Sequence, residues 1–264
     1  MVLKRLSTAL RTRSKPRIPN GERVYAIGDI HGRRDLLDTL LAQIDADEAA
    51  RGPARTSIVF LGDLVDRGPD SRGVIDRLIG LRGSGRTIRL LFGNHDEVFL
   101  KALEGDAKSL RFLTRIGGRE TILSYGISNQ DYECADFDAL AALIASHVPA
   151  EHLAFLSAME NMVDIGDYLF VHAGIRPDIA LADQKSSDLR WIREDFLRSR
   201  VRHPRLVVHG HSISPAADVR ANRIGIDTGA FASGKLTALG LEGEESWFLT
   251  ASGAPDPRWG LLTD

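Results

Sequence analysis

Apolar residues fall in short blocks along this chain, and their period changes from block to block. Val24, Tyr25, Ala26 and Ile27 form a continuous apolar run, which predicts a buried strand. Leu36, Leu37, Leu40, Leu41 and Ile44 then recur at helical spacing. Ser57 to Leu61 predicts a second strand, Ser71 to Leu81 a helix, and Thr87 to Phe92 a third strand. This rhythm argues for an α/β sheet with helices outside. Residues 97–159 are mostly helical in pattern, with a break at Gly117-Gly118, and predict a helical insertion above the sheet edge. Strand-like runs return at Tyr168–Val171, Leu206–Val208, Arg223–Ile226 and Leu236–Leu241. Glycines at their turns suggest a second, more antiparallel sheet. The predicted fold class is α/β, a two-sheet β-sandwich flanked by helices. One main domain covers 21–251, between a basic N-terminal extension (1–20) and a loose tail (252–264) carrying Pro255, Pro257 and Gly260. No internal repeat or low-complexity segment interrupts it.

Composition narrows the class. A chain of 264 residues with 43% hydrophobic and 27% charged residues has the profile of a folded globular protein. The net charge of −2 gives no global pull toward nucleic acid, so anion binding has to come from a local site. Cys134 is the only cysteine, which excludes an intrachain disulfide and permits a reducing, cytoplasmic setting. No apolar run approaches the roughly 20 residues of a transmembrane span. The first 17 residues carry Lys4, Arg5, Arg11, Arg13, Lys15 and Arg17 without an acid and lack the apolar centre of a secretory signal. A solvated basic tail or short amphipathic helix is the expectation, with a membrane-surface or partner contact as the alternative.

Five glycine-punctuated blocks carry the chemistry. They are Gly28-Asp29-Ile30-His31-Gly32, Gly62-Asp63-Leu64-Val65-Asp66-Arg67-Gly68, Gly93-Asn94-His95-Asp96, His172-Ala173-Gly174 and Gly210-His211-Ser212. The first three begin where predicted strands end, the edge at which open α/β sheets bind ligands. Asp29 and His31 are two apart, so in extended chain both point to one side. Asp63 has two oxygens and can bridge a pair of cations. Asn94 offers a carbonyl oxygen, and His172 and His211 offer imidazole nitrogens. Such a mixed oxygen and nitrogen set without thiolate suits Mn, Fe or Zn better than Ca. Two divalent cations outweigh the carboxylates of Asp29 and Asp63, and Arg67 and Arg193 add positive charge. A phosphate dianion is the natural guest. Taken singly, an Asp-x-His or a Gly-Asn-His-Asp is most often a turn or a cap; the joint pattern is what carries meaning.

These blocks resemble the calcineurin-like metallophosphoesterases, and among them the bacterial and phage-type phosphoprotein phosphatases. The likeness runs from about Val24 to Leu249. Trp191-Ile192-Arg193-Glu194 and Ile226-Asp227-Thr228-Gly229-Ala230 resemble further segments of that group. The resemblance implies that Asp29 and His31 hold one metal ion, that Asp63 bridges, and that Asn94, His172 and His211 complete the second. It implies a bridging hydroxide nucleophile, His95 as general acid oriented by Asp66, and Arg67 and Arg193 as the phosphate clamp. Manganese is the expected metal, with iron or zinc as alternatives. His209 reads as a strand-end residue rather than a ligand. His147, His152 and His203 read as ordinary surface or partly buried residues. Asp227 is either a partner of a metal ligand or a turn residue. Gly229 to Lys235 has the spacing of a phosphate-binding loop, but Leu236 supplies no hydroxyl, so nucleotide binding there is rejected.

The expected function is metal-dependent phosphomonoester hydrolysis by a serine/threonine protein phosphatase, acting on a phosphorylated protein or a small phosphate ester. The alternative is a symmetrical bis(5'-nucleosyl)-tetraphosphatase acting on a dinucleoside polyphosphate, or another small-molecule phosphoesterase. A catalytically dead binding protein is disfavoured because every expected ligand is present. Asp66 leans toward phosphoesters, since an alkoxide leaving group needs a proton more than a polyphosphate does. Asp96 leans toward the tetraphosphatases, in which Asp replaces the Glu common in protein phosphatases.

Overall fold

The computed structural model describes residues 15–259. Residues 1–14 of the basic extension and 260–264 of the tail lie outside the described residues. The chain opens with β1 (Glu22–Ile27), α1 (Arg34–Arg51), β2 (Arg55–Phe60), α2 (Ser71–Ile79) and β3 (Thr87–Leu90), as the βαβαβ rhythm predicts. Six helices follow: α3 (Asn94–Leu103), α4 (Ala107–Leu113), α5 (Gly118–Ser124), α6 (Asn129–Cys134), α7 (Phe137–His147) and α8 (Ala150–Ser157). The chain continues through β4 (Met162–Ile165), β5 (Tyr168–Val171), α9 (Ser186–Trp191), α10 (Glu194–Leu197), β6 (Leu206–His209), β7 (Asp218–Val219) and β8 (Arg223–Gly225). It ends with α11 (Ala230–Ser233), β9 (Lys235–Glu242) and β10 (Glu245–Ser252).

Two five-stranded sheets result, ordered β10-β9-β1-β2-β3 and β4-β5-β6-β8-β7. Strand alternation builds the layers. Val24 and Ala26 of β1 point between the sheets, where they meet Phe170 of β5 and Val208 of β6. Tyr25 and Ile27 point to the other face and pack under Leu37, Leu40 and Ile44 of α1. On the far side Leu169, Val171 and Val207 are covered by Leu189, Ile192 and Phe196. The order is helices, sheet, sheet, helices. Because both faces of each central strand are buried, these strands read as continuous apolar runs.

Two details depart from the sequence reading. Leu236–Leu241 does not join the second sheet; β9 pairs antiparallel with β1 in the first. The second sheet is not mainly antiparallel either, since β5, β6 and β8 run parallel and only its edge strands are antiparallel. Pairing partners far apart in sequence leave no local signature, which is why apolar runs located the strands but not their neighbours. The ends of the chain also dock in part. Ile18 is fully buried and its N–H donates to the Gly243 carbonyl at 2.9 Å. Gly253 N–H donates to the Gly234 carbonyl at 2.8 Å. Among the described residues no single helix is long and apolar enough to cross a membrane.

Candidate metal centre

Every chemical block leaves the carboxyl end of a parallel strand. Asp29 follows β1, Asp63 follows β2, and Asn94 begins α3 just beyond β3. His172 follows β5 and His211 follows β6. The two sheets thus deliver their loops to one edge, the position expected for a ligand site. Close approach requires small residues: a Cβ on Gly93 would overlap Asp63 Oδ1 and its backbone nitrogen.

The backbone is strained where the loops meet. Among the described residues, positive φ outside glycine occurs at His31, Asp63, Asp66, Arg67, His211 and Asp178. Five of these six belong to the predicted site. Each such conformation costs roughly 1–3 kcal/mol and persists where surrounding structure enforces it, commonly at functional sites.

Two groups of buried donors share Asp63. His31, Asp63 and His95 form one, and Asp63, His172 and His211 form the other, with donor atoms in each group within 4.8 Å of one another. Asp63 Oδ2 lies 3.5 Å from His31 Nε2, and its Oδ1 lies 3.5 Å from His172 Nε2. Asp29 stands beside them, its two oxygens each 3.1 Å from the His211 amide N–H, which donates to them.

Tautomers decide what these groups can hold. The Nδ1–H of His172 donates to the Leu61 carbonyl at 2.8 Å, and that of His31 donates to the Val65 carbonyl at 2.8 Å. Each ring therefore turns an Nε2 lone pair inward. At His172 that lone pair faces Asn94 Oδ1 at 3.0 Å. Two acceptors face each other there, next to the Asp63 carboxylate, and a cation between them resolves the repulsion. His211 Nε2 is buried without a hydrogen-bond partner, a costly state for an imidazole that has no ligand.

Charge points the same way. Burial pushes His31 and His172 below their ordinary range and His211 down to about 2. All three rings are thereby biased toward the neutral form, in which imidazole ligates metal. Burial would raise the Asp63 carboxyl, but the surrounding imidazoles, His172 first, outweigh it and hold the carboxyl far below its usual range. Burial, together with Asp227 and Asp63, pushes Asp29 well above the usual range. Burial pushes Asp96 up to about 7 and Asp227 up to about 6. Four buried carboxyl groups crowded together call for cationic compensation. The donor set fits a pair of divalent cations.

The remaining predicted residues surround this centre. His95 Nδ1–H donates to Asp66 Oδ2 at 2.7 Å. Arg67 Nη1 and Nη2 donate to His31 Nε2 and His95 Nε2, each at 2.9 Å, so the guanidinium sits between the two rings. Arg193 is exposed; its carbonyl accepts from the Phe196 and Leu197 N–H groups, while its guanidinium carries charge that reaches His172, His211 and Asp227. Asp227 is buried and Oδ1 accepts from Gly229 N–H at 2.9 Å, combining a turn role with proximity to Asp29. His209 is bonded to the Gly210 carbonyl and to Arg223, apart from either donor group. His152 and His203, read as ordinary surface or partly buried residues, are both buried. His152 is held by Tyr125 and Asp76, each at 2.9 Å.

Sequence reasoning missed the supports. Thr121 Oγ–H donates to Asp66 Oδ1 at 2.8 Å while its oxygen accepts from Asp66 N–H at 2.7 Å. Asp96 Oδ1 accepts from Leu64 N–H and its Oδ2 from Gly93 N–H, tying the second block to the third. The Gly117 carbonyl accepts from Arg67 N–H at 2.9 Å. Of these, only Asp96 lay within a recognised block. The run after Gly234 is a strand, as expected: α11 has four residues, and β9 starts at Lys235.

Comparison with known proteins agrees with this geometry. A bis(5'-nucleosyl)-tetraphosphatase PrpE (asymmetrical) from Anoxybacillus flavithermus is 29% identical over 81% of this chain and 88% of its own length. A symmetrical bis(5'-nucleosyl)-tetraphosphatase from Delftia acidovorans is 31% identical over 67% of this chain but only 55% of its own length; the chain spans about half of such symmetrical relatives. A solved structure described as a putative diadenosine tetraphosphatase superposes with a TM-score of 0.62 at 23% identity, covering 91% of this chain and 100% of that one. The calcineurin-like phosphoesterase family model matches residues 22–236, the span that contains both sheets' central strands and every donor above. With the two-sheet fold and the shared-carboxylate donor groups already in place, the chain belongs to the calcineurin-like phosphoesterase family.

Proposed function

We propose that this metallophosphoesterase hydrolyses dinucleoside tetraphosphates. The observation that carries the hydrolytic part is the pair of buried donor groups meeting at Asp63. The substrate class rests on the relatives, which bear the tetraphosphatase name across both symmetrical and asymmetrical types. The asymmetrical relative is matched almost from end to end, which favours cleavage into a nucleoside triphosphate and a nucleoside monophosphate.

In this reading Asp29, His31 and Asp63 hold one cation, and Asp63, Asn94, His172 and His211 hold the other. Manganese is the metal of choice for the assay, given oxygen and imidazole donors without thiolate. When bound, the metal pair supplies Lewis acidity and a nucleophilic water at neutral pH. The protein's own residues do the rest. Arg67 swings from His31 Nε2 and His95 Nε2 onto the phosphate oxygens, which its planar fork matches. That movement frees His31 Nε2 for the cation and His95 Nε2 for a proton. Arg193 approaches the same phosphate from the solvent side. The N-terminus of α3 at Asn94 adds a favourable dipole. Water attacks phosphorus and gives up one proton to solvent, the bond from phosphorus to the bridging oxygen breaks, and His95 gives its proton to the departing oxygen.

A second reading, the serine/threonine phosphatase, is favoured by one contact. The 2.7 Å bond between His95 and Asp66 strengthens a general acid, which an alkoxide needs more than a polyphosphate does. A side-by-side assay with Mn²⁺ separates the two. Diadenosine tetraphosphate and a phosphoserine peptide are supplied at equal concentration, and products are resolved chromatographically. The expected result is faster loss of the tetraphosphate with ATP and AMP appearing together. Faster release of phosphate from the peptide would transfer the assignment to the phosphatase reading.

A further inference from the structure

A cleft of about 380 Å³ opens beside Arg193, with Trp191, Arg176, Asp188 and Asp195 in its walls. That size lies within the range of small-ligand pockets. Its aromatic wall is fixed rather than free. Trp191 is 38% exposed, yet its indole N–H donates to Glu97 Oε2 at 2.9 Å. One side of the indole leans on Phe112, with ring centroids 6.2 Å apart. Glu97 is in turn held by Lys101 at 2.7 Å and Arg190 at 3.2 Å. A ring immobilised in advance, with surface left open, binds a flat partner at low entropic cost.

The wall is tied to the metal centre at both ends. Glu97 lies on α3, about one helical turn past Asn94. Arg193 follows Trp191 by two residues, and its charge acts on His172 and His211. Across the cleft Arg176 is locked by Asp188 at 2.7 Å and by Asp195 Oδ2 at 2.9 Å. Carboxylates there repel a phosphate and suit hydroxyl donors. The cleft therefore favours the uncharged end of a nucleotide, with the phosphates turned toward Arg193.

We propose that this cleft is the nucleoside subsite, in which the base stacks on Trp191, the ribose hydroxyls donate to Asp195, and Arg193 receives the adjacent phosphate. This assignment rests on the tetraphosphatase reading for its substrate, but its test is independent of turnover. AMP is titrated calorimetrically into the Mn²⁺-loaded wild type, Trp191→Ala and Trp191→Phe, with ribose 5-phosphate as the baseless probe. Losing one base–aromatic stack weakens AMP binding by roughly tenfold or more. Trp191→Phe recovers most of the loss, and ribose 5-phosphate discriminates little between the proteins. The KM for diadenosine tetraphosphate rises in Trp191→Ala more than its kcat falls. Equal AMP affinity in wild type and Trp191→Ala, or no AMP binding by the wild type, overturns the subsite. AMP binding that depends on Trp191 in an enzyme that leaves diadenosine tetraphosphate intact supports the subsite and overturns the substrate reading alone.

Discussion

His95 shows how one side chain takes its properties from its neighbours. Burial works to lower its pKa, but Asp63 and the Asp66 bond outweigh burial and raise it. An acid must be protonated to act, so the rate falls as pH climbs through the raised value. In Asp66→Asn the raising contribution shrinks, and the alkaline limb of kcat against pH moves to lower pH. A limb that stays in place would remove Asp66 from this role. His95→Asn should cut turnover of alkyl phosphates by roughly 10²–10⁴-fold and of esters with acidic leaving groups far less; equal losses would mean that His95 does not donate the proton. Asp29, His31, Asp63, Asn94, His172 and His211 were legible in the sequence because each sits in a glycine-flanked block. Thr121, whose hydroxyl brackets the Asp66 carboxyl and amide, was not. It lies 55 residues away in an ordinary helix, and nothing local marks a residue that works through a distant partner.

The helical insertion reaches into the site through α5 and the turn before it. Gly117 has φ +105°, and a Cβ there would stand 2.7 Å from Arg67 Cγ. Gly117→Ala therefore combines backbone strain of about 1–2 kcal/mol with displacement of Arg67. The expected outcome is a several-fold rise in KM with metal content retained, checked by steady-state kinetics and elemental analysis of the same sample. Wild-type kinetics in that variant would show that Arg67 does not depend on the insertion. The Gly117-Gly118 break was visible in the sequence as an interruption of helical pattern. Its purpose was not, because the partner Arg67 belongs to another block. Apolar runs likewise located β1, β2, β5 and β6. They could not tell that β9 pairs with β1, since a buried strand looks alike in either sheet.

Across the whole molecule, two sheets turn the carboxyl ends of their parallel strands to one edge, and the donors of five blocks meet there around Asp63. The overall α/β sandwich was readable because buried parallel strands and amphipathic helices differ in period. The convergence of the second sheet's loops on the first sheet's was readable only through the chemistry of His172 and His211. Buried carboxyl groups at Asp29, Asp63, Asp96 and Asp227 crowd the assembled centre, a setting that suits cations. The most direct test is metal stoichiometry by inductively coupled plasma mass spectrometry on folded, Mn²⁺-equilibrated and desalted protein. The account predicts about two divalent ions per wild-type chain, following the two-cation clamp of such sites, and loss of both in Asp63→Ala with the circular dichroism spectrum preserved. An Asp63→Ala protein that keeps the full wild-type complement would contradict the shared carboxylate on which the account stands.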